Sequence, residues 1–198
     1  MKAAIKSIKT CLASGRLTNE QLAEEFEDWA VDKIYAKTGI STRGIAGPDE
    51  CASDLGVSAV RLLFEHGACS AQDIDFLLFC TQSPDYFVPT TACIMQSRLG
   101  LRTTCGALDL NLGCSGYVYG LSLAKGLIET GQAANVLLVT AETYSMEYYG
   151  NTVSSTIPMA LEHVLDEGRL RGWPWITRSQ TWACPECTST CSRRTSAQ

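Results

Sequence analysis

A strand, a helix and a second strand follow one another within residues 107–139, and this unit constrains the fold most strongly. Strands are expected over residues 107–111 and 136–139, the second of which is wholly apolar, as a strand buried on both faces is. Between them, apolar residues recur at helical spacing at Tyr117, Leu121, Ala124 and Ile128. Such a unit closes as a right-handed crossover between parallel strands. The sequence therefore predicts an α/β fold with a mostly parallel sheet and helices on its faces.

The preceding part of the chain alternates helices and strands in the same way. Thr18 and Gln21 have the spacing of a capping box, and a helix is expected from about Asn19 to Lys33. The other expected elements are, in chain order, a helix from about Ser53 to Gly67, a buried strand over residues 76–80, a loop over residues 84–89 and a helix over residues 91–99.

Composition excludes several classes of protein. The 198 residues carry a net charge of −5 and are 45% hydrophobic, which excludes disorder for most of the chain. The acidic pI of about 5.1 argues against nucleic acid as a partner. No apolar run approaches the roughly 18 residues that a membrane span needs. The first 20 residues contain Lys2, Lys6 and Lys9 and no continuous apolar stretch, so they do not resemble a signal peptide.

Seven of the ten cysteines, from Cys11 to Cys114, are scattered singly through the chain. Without a secretory signal, free thiols in a reducing cytoplasm are expected instead of a disulfide framework. In the tail, Cys184 and Cys187 form a CxxC motif with Cys191 nearby, but three thiolates and no nearby histidine fall short of the four ligands of structural zinc. No metal site is expected.

Cys114 carries the strongest chemical signal because it stands where a buried strand meets a helix. The first turn of a helix has free N–H groups and the positive end of the helix dipole, which both favour a thiolate. Gly113, Ser115 and Gly116 are small and would let a substrate carbonyl approach the sulfur. Position alone allows two interpretations: a nucleophile that forms an acyl thioester, or a small residue packed between helix and sheet.

Several segments resemble the β-ketoacyl-[acyl carrier protein] synthase III family of the thiolase-like superfamily. Residues 109–121 (DLNLGCSGYVYGL) resemble the segment around its nucleophile. Residues 37–46 (KTGISTRGIA) resemble its TGI-x-x-R-x-IA signature, and residues 15–19 and 89–100 match in order and spacing. The resemblance covers about residues 1–145. It implies the N-terminal half of a thiolase-like fold, with a parallel-rich mixed sheet.

The resemblance also implies an activity and a set of site residues. An acyl group would pass from acyl-CoA to Cys114 and then condense with malonyl-[acyl carrier protein], as in fatty acid biosynthesis. The implied catalytic residues are Cys114 and Asn151. The implied substrate-binding residues are Lys37, Val88, Gly113 and Ser115. The family works as a homodimer, and no nicotinamide, flavin, metal or other cofactor is implied.

The chain departs from the family's order after residue 149. Residues 149–169 resemble a YGNTSSxSIPxAL…GR segment that, in the family, lies in the second half of the fold. We therefore expect three parts: an N-terminal thiolase-like half over residues 1–149, a remnant of the C-terminal half over 150–171, and a tail over 172–198. The tail contains no Leu, Val or Lys and is expected to be disordered.

The family's histidine segment has no counterpart between these parts. The two histidines, His66 and His163, stand in other contexts. The chain is therefore expected to be an impaired synthase. The alternatives are a non-catalytic truncated homologue that pairs with an intact synthase, and an acyltransferase that does not decarboxylate.

Overall fold

The computed structural model describes residues 2–26 and 29–143 of the chain. The strands in this part are β1 (Gly15–Thr18), β2 (Thr42–Ile45), β3 (Phe76–Cys80), β4 (Gly106–Leu110) and β5 (Val136–Thr140). The helices are α1 (Asn19–Glu25), α2 (Val31–Thr38), α3 (Ala52–Glu65), α4 (Thr91–Arg98) and α5 (Gly116–Glu129), and a 3-10 turn covers Ala71–Asp73. Within the described ranges, none of the helices has the length and apolarity that a membrane span requires.

β3, β4 and β5 form a parallel sheet with β3 in the centre. Phe76 lies opposite Gly106 on one side and opposite Val136 on the other, and the register continues to Cys80. The predicted crossover is confirmed, because α5 connects two strands that run in the same direction. In the described residues, antiparallel pairing occurs in the separate pair of β1 and β2, which sequence reasoning did not predict.

Helices cover both faces of the sheet, whose central strand β3 is apolar throughout. Leu77 and Phe79, alternate residues of β3, are fully buried in one cluster with residues of α3 and α4. Leu78, which points to the opposite face, is also fully buried. On that second face α5 packs against β3 and β5. The described part is thus layered as helix, sheet and helix, the arrangement typical of parallel sheets.

The capping box that the sequence predicts at the start of α1 is present. The backbone N–H of Gln21 donates to the Thr18 hydroxyl at 3.3 Å, and the backbone N–H of Thr18 donates to the Gln21 side chain at 2.9 Å. Both groups would otherwise lack a partner within the helix, so this exchange fixes where the helix begins.

The prediction of a single helix over about Asn19–Lys33 is wrong, because the chain forms two short helices, α1 and α2, in this region. Phe26 leaves the helical region at φ −124° and ψ 91°, and Ala30 is extended at φ −64° and ψ 140°. Each helix buries one main anchor, Leu22 in α1 and Ile34 in α2. Apolar spacing cannot separate one helix from two short helices that pack against each other, because both bury residues at similar intervals.

The remaining predicted elements are confirmed to within one or two residues at each end. α2 ends at Thr38 and is capped by Gly39, whose φ of 70° lies in the left-handed region that favours glycine. The expected remnant over residues 150–171 and the expected tail over residues 172–198 lie outside the described residues.

Candidate active site

The carboxyl ends of β3, β4 and β5 meet at one edge of the parallel sheet. In open α/β sheets, ligands bind at this edge, where loops from neighbouring strands come together. Three segments leave the sheet here: the loop after β3, the turn after β4 and the residues after β5. The turn after β4 contains Cys114.

Cys114 is exposed and lies in the turn between β4 and α5. The turn is closed by a hydrogen bond from the backbone N–H of Gly116 to the carbonyl of Gly113, at 2.7 Å. Ser115 caps α5, and its hydroxyl makes no capping hydrogen bond. The side chain of Cys114 is therefore open to solvent beside the positive end of a 14-residue helix, as the nucleophile interpretation requires.

A close contact holds α5 against the sheet. A Cβ placed on Gly120 would stand 2.6 Å from Cδ1 of Leu138 in β5, so a larger residue here would push the helix away. Tyr117 and Ala124 are buried on the same side of the helix. The start of α5, and Cys114 with it, is positioned by this packing.

The turn after β4 is also held by the end of β3. The backbone N–H of Thr81 donates to the carbonyl of Leu110 at 3.1 Å, and the thiol of Cys80 lies 3.3 Å from the carbonyl of Leu112. These contacts extend the pairing of β3 and β4 beyond the strands. They connect the start of the loop after β3 to residues 110–112, which lead into the turn that contains Cys114.

Three other thiols are in surroundings that disfavour the thiolate. Partial desolvation raises the pKa of Cys51, although the residue is exposed, and the carboxylates of Asp85 and Asp54 raise it further. Burial also raises the pKa of Cys69 and of Cys105. Like Cys114, Cys51 is exposed and stands at the start of a long helix. Cys51 differs in that nearby carboxylates disfavour its thiolate.

Glu142 belongs to this edge of the sheet and was missed by sequence reasoning. It follows β5 by two residues and is half-buried, and burial raises its pKa although hydrogen bonds from the turn after β3 act in the opposite direction. The available signal was an acidic residue directly after a buried strand. A carboxylate in that position lies at the carboxyl edge of a parallel sheet.

The structure places the predicted substrate-binding residues in different elements. Gly113 and Ser115 flank Cys114 in its turn. Val88 lies in the loop between β3 and α4, 87% exposed and beside Phe87, which is 95% exposed. Lys37 is in the last turn of α2, with its ammonium 5.3 Å from the centre of the Trp29 ring. Asn151 lies outside the described residues, as do His163 and the CxxC motif.

No three His, Cys, Asp or Glu side chains within residues 2–26 and 29–143 cluster in a way that could hold a metal ion. A groove of about 450 Å³ does exist, along the side of β5 that faces away from β3. It is lined by residues 3–13, by apolar residues of α3 and α5, and by β5 itself. Cys114 does not line the groove, so the chemistry expected of the thiol belongs to the carboxyl edge of the sheet.

Sequence comparisons show which proteins this chain is similar to. Residues 108–157 match the profile of 3-oxoacyl-[acyl-carrier-protein (ACP)] synthase III. A β-ketoacyl-[acyl-carrier-protein] synthase III of Halalkalibacterium halodurans is 41% identical over 144 residues, which are 73% of this chain and 43% of that protein. One from Thiobacillus denitrificans is 46% identical over 132 residues, 65% of this chain and 40% of that protein. The chain thus spans about two fifths of the length of these relatives.

Structural comparisons agree. A crystal structure of a 3-oxoacyl-(acyl-carrier-protein) synthase III, 58% identical in sequence, superposes with a TM-score of 0.72 over 73% of this chain and 43% of that one. The corresponding enzyme from Thermus thermophilus is 36% identical, with a TM-score of 0.64 over 71% and 43%. The thiolase-like fold expected from the sequence is confirmed over the part that superposes.

Proposed function

Because this chain is related in sequence and in fold to the β-ketoacyl-[acyl carrier protein] synthase III family, we propose that Cys114 accepts an acyl group from acyl-CoA. The thiolate attacks the carbonyl carbon of the CoA thioester. The bond from that carbon to the CoA sulfur then breaks, and the CoA thiolate leaves and takes up a proton. The observation that supports this most directly is the exposure of Cys114 in the turn that leads into α5.

The surroundings of Cys114 suit the attack. The first turn of α5 offers backbone N–H groups and a positive dipole where negative charge develops on the thioester oxygen. Gly113 and Ser115 leave room beside the sulfur. Lys37 offers an exposed cation suited to the phosphates of CoA, and Val88 offers an exposed apolar side chain suited to the acyl chain.

We further propose the second half-reaction that the resemblance implies. A malonyl group on acyl carrier protein would lose CO2, and the resulting carbanion would displace Cys114 from its thioester to give a 3-oxoacyl product. Asn151 would stabilise the enolate oxygen. The protein would act in the cytoplasm in fatty acid or related biosynthesis, as a homodimer whose loop over residues 84–89 lies near the partner's acyl pocket.

A second candidate is a non-catalytic homologue that pairs with an intact synthase. It is favoured by the position of His66, which lies at the end of α3 with Nδ1 2.8 Å from the carbonyl of Leu62. That position is on the connection into the amino end of β3, whereas Cys114 follows the carboxyl end of β4. This candidate predicts no transfer of an acyl group to Cys114.

Incubation with radiolabelled acetyl-CoA separates the two candidates. We expect about one label per chain, lost in Cys114→Ala and retained in Cys51→Ala, which removes another exposed thiol at the start of a helix. Label retained by Cys114→Ala, or no label on the unmodified chain, would contradict the proposed acylation. The second result would favour the non-catalytic homologue.

A further inference from the structure

Glu142 collects hydrogen bonds from one short turn about sixty residues earlier in the chain. The backbone N–H of Gln82 donates to both of its carboxylate oxygens, at 2.9 and 3.0 Å. The hydroxyl of Ser83 donates at 3.1 Å and that of Thr81 at 3.3 Å. A half-buried carboxylate with three donors from consecutive residues fixes the position of the segment that supplies them.

The turn over residues 81–83 is the first part of the loop after β3. It is closed by the backbone N–H of Ser83, which donates to the Thr81 hydroxyl at 2.9 Å. The far end of the loop is held separately, since the backbone N–H of Asp85 donates to the hydroxyl of Thr91 at 3.1 Å. The carboxylate of Asp85 also accepts the backbone N–H of Ser53 in α3, at 3.3 Å. The exposed apolar residues 86–88 therefore follow the turn held by Glu142 and lie within the stretch closed from Asp85 to Thr91.

We propose that Glu142 is a positioning residue for the acyl thioester. By fixing the turn over residues 81–83, it helps to hold Phe87 and Val88 in the loop that the proposed homodimer places near the partner's acyl pocket. The acyl portion of the partner's thioester then meets an ordered apolar surface. The inference rests on the proposed acylation of Cys114. Glu142 contributes to the binding of the acyl group and leaves the reactivity of the sulfur unchanged.

Two substitutions of Glu142 should affect the hydrogen bonds from residues 81–83 differently. Glu142→Ala leaves the Gln82 N–H and both hydroxyls without this acceptor. Glu142→Gln keeps an oxygen for the Gln82 N–H, and its NH2 group can donate to the hydroxyl oxygens of Thr81 or Ser83, because hydroxyls both donate and accept. We therefore expect alanine to release the turn and glutamine to hold it.

The first test compares acylation with alkylation of Cys114. In Glu142→Ala, the acetyl-CoA concentration for half-maximal acylation should rise about tenfold, the effect of losing a hydrogen bond to a charged group. Alkylation of Cys114 by iodoacetamide should stay within about twofold, since Glu142 does not touch the sulfur. Glu142→Gln should match the unmodified chain in both measurements. Glu129→Ala is the control, because it removes an exposed carboxylate of α5 that pairs with Lys125.

Three results would overturn the proposal: unchanged acylation in Glu142→Ala, a parallel fall of acylation and alkylation, or the same defect in Glu142→Gln. A parallel fall would mean that Glu142 serves general folding. If Glu142→Ala does not fold, Ser83→Ala takes its place. It removes one donor, and an increase of about threefold or more in half-maximal acetyl-CoA is expected.

Hydrogen exchange tests, independently of acylation, whether Glu142 fixes the turn over residues 81–83. Amides in residues 82–89 should exchange about tenfold faster or more in Glu142→Ala than in the unmodified chain, and at the original rate in Glu142→Gln. Unchanged exchange in Glu142→Ala would refute the proposed role of Glu142. A chain that is never acylated but shows this exchange pattern would refute the proposed function and leave the hold of Glu142 on the turn confirmed.

Discussion

The carboxylate of Asp109 in β4 accepts the backbone N–H of Ala92, in the first turn of α4, at 2.6 Å. It also accepts the backbone N–H of Thr91 at 2.8 Å. One side chain thus satisfies two N–H groups at the start of a helix and places a negative charge at the positive end of its dipole. Asp109 stands five residues before Cys114, so the strand that leads into the turn of the thiol also anchors α4.

Replacing Asp109 by alanine should therefore destabilise the protein. Two N–H groups lose a charged acceptor, which is expected to lower the free energy of unfolding by about 1 to 3 kcal/mol. Asp109→Asn should fall between the two, because an amide offers one acceptor oxygen. Unfolding in urea measures the effect, with Glu129→Ala as the exposed control. A change in Asp109→Ala of less than about 0.5 kcal/mol, the range of ordinary surface substitutions, would contradict this expectation.

Two exposed cysteines, Cys51 and Cys114, each stand at the start of a 14-residue helix, and they should differ in reactivity. Partial desolvation and the carboxylates of Asp85 and Asp54 raise the pKa of Cys51. At pH 7 we expect iodoacetamide to modify Cys114 several-fold faster, since the thiolate is the reactive form. Peptide mapping after brief alkylation measures both sites in one sample. Faster modification of Cys51 would show that position at the start of α5 does not activate Cys114.

The parallel sheet could be predicted from the sequence because its signals are local. Residues 76–80 are five consecutive apolar residues, and the helix over residues 116–129 has apolar residues at regular spacing. β1 and β2 could not be predicted, since each has four residues and no apolar alternation. Their pairing of Gly15 with Ile45 depends on contacts thirty residues apart in the chain.

The candidate site could likewise be predicted only where its signals are local. Cys114 could be found because a strand, a turn of small residues and a helix follow one another within a short segment. The part played by Glu142 depends on three donors about sixty residues away, and no local pattern shows them. The break between α1 and α2 was missed for a related reason, because it depends on how two short helices pack.

Stability should depend on pH through Asp75. Backbone N–H groups of Asn135 and Ala134, together with Arg102, lower the pKa of Asp75. A folded-state pKa below the unfolded value of about 3.9 means that the contribution is present above that pH and is lost as the pH falls through the folded-state pKa. Asp75→Asn should thus be less stable than the unmodified chain at pH 7, by about 1 to 3 kcal/mol.

The difference between Asp75→Asn and the unmodified chain should shrink when both are unfolded in urea at pH 3. Lys125→Gln, which removes an exposed partner of Glu129, serves as a surface control at both pH values. An equal difference at pH 7 and pH 3 would show that the ionised form of Asp75 is not what stabilises the fold.

Release of CO2 from malonyl-[acyl carrier protein] should be slow even when Cys114 is acylated. Neither His66 nor His163 stands in a segment that resembles the family's histidine motif. A positioned acid, base or hydrogen-bond donor contributes roughly 10² to 10⁴-fold to such a step. We expect a deficit of that size relative to an intact synthase assayed in parallel. Turnover equal to that of the intact enzyme, and absent in Cys114→Ala, would mean that another group supplies this chemistry.

The most direct test of the role of Cys114 is to map the acetyl group after incubation with acetyl-CoA. The chain is quenched in acid, digested and analysed by mass spectrometry, so that each of the seven cysteines of the described residues is scored separately. We predict that Cys114 carries the acetyl group and that Cys51 and Cys93, the other exposed thiols, remain unmodified. Acetylation spread over these three thiols, or absent from Cys114, would contradict its assignment as the acyl acceptor.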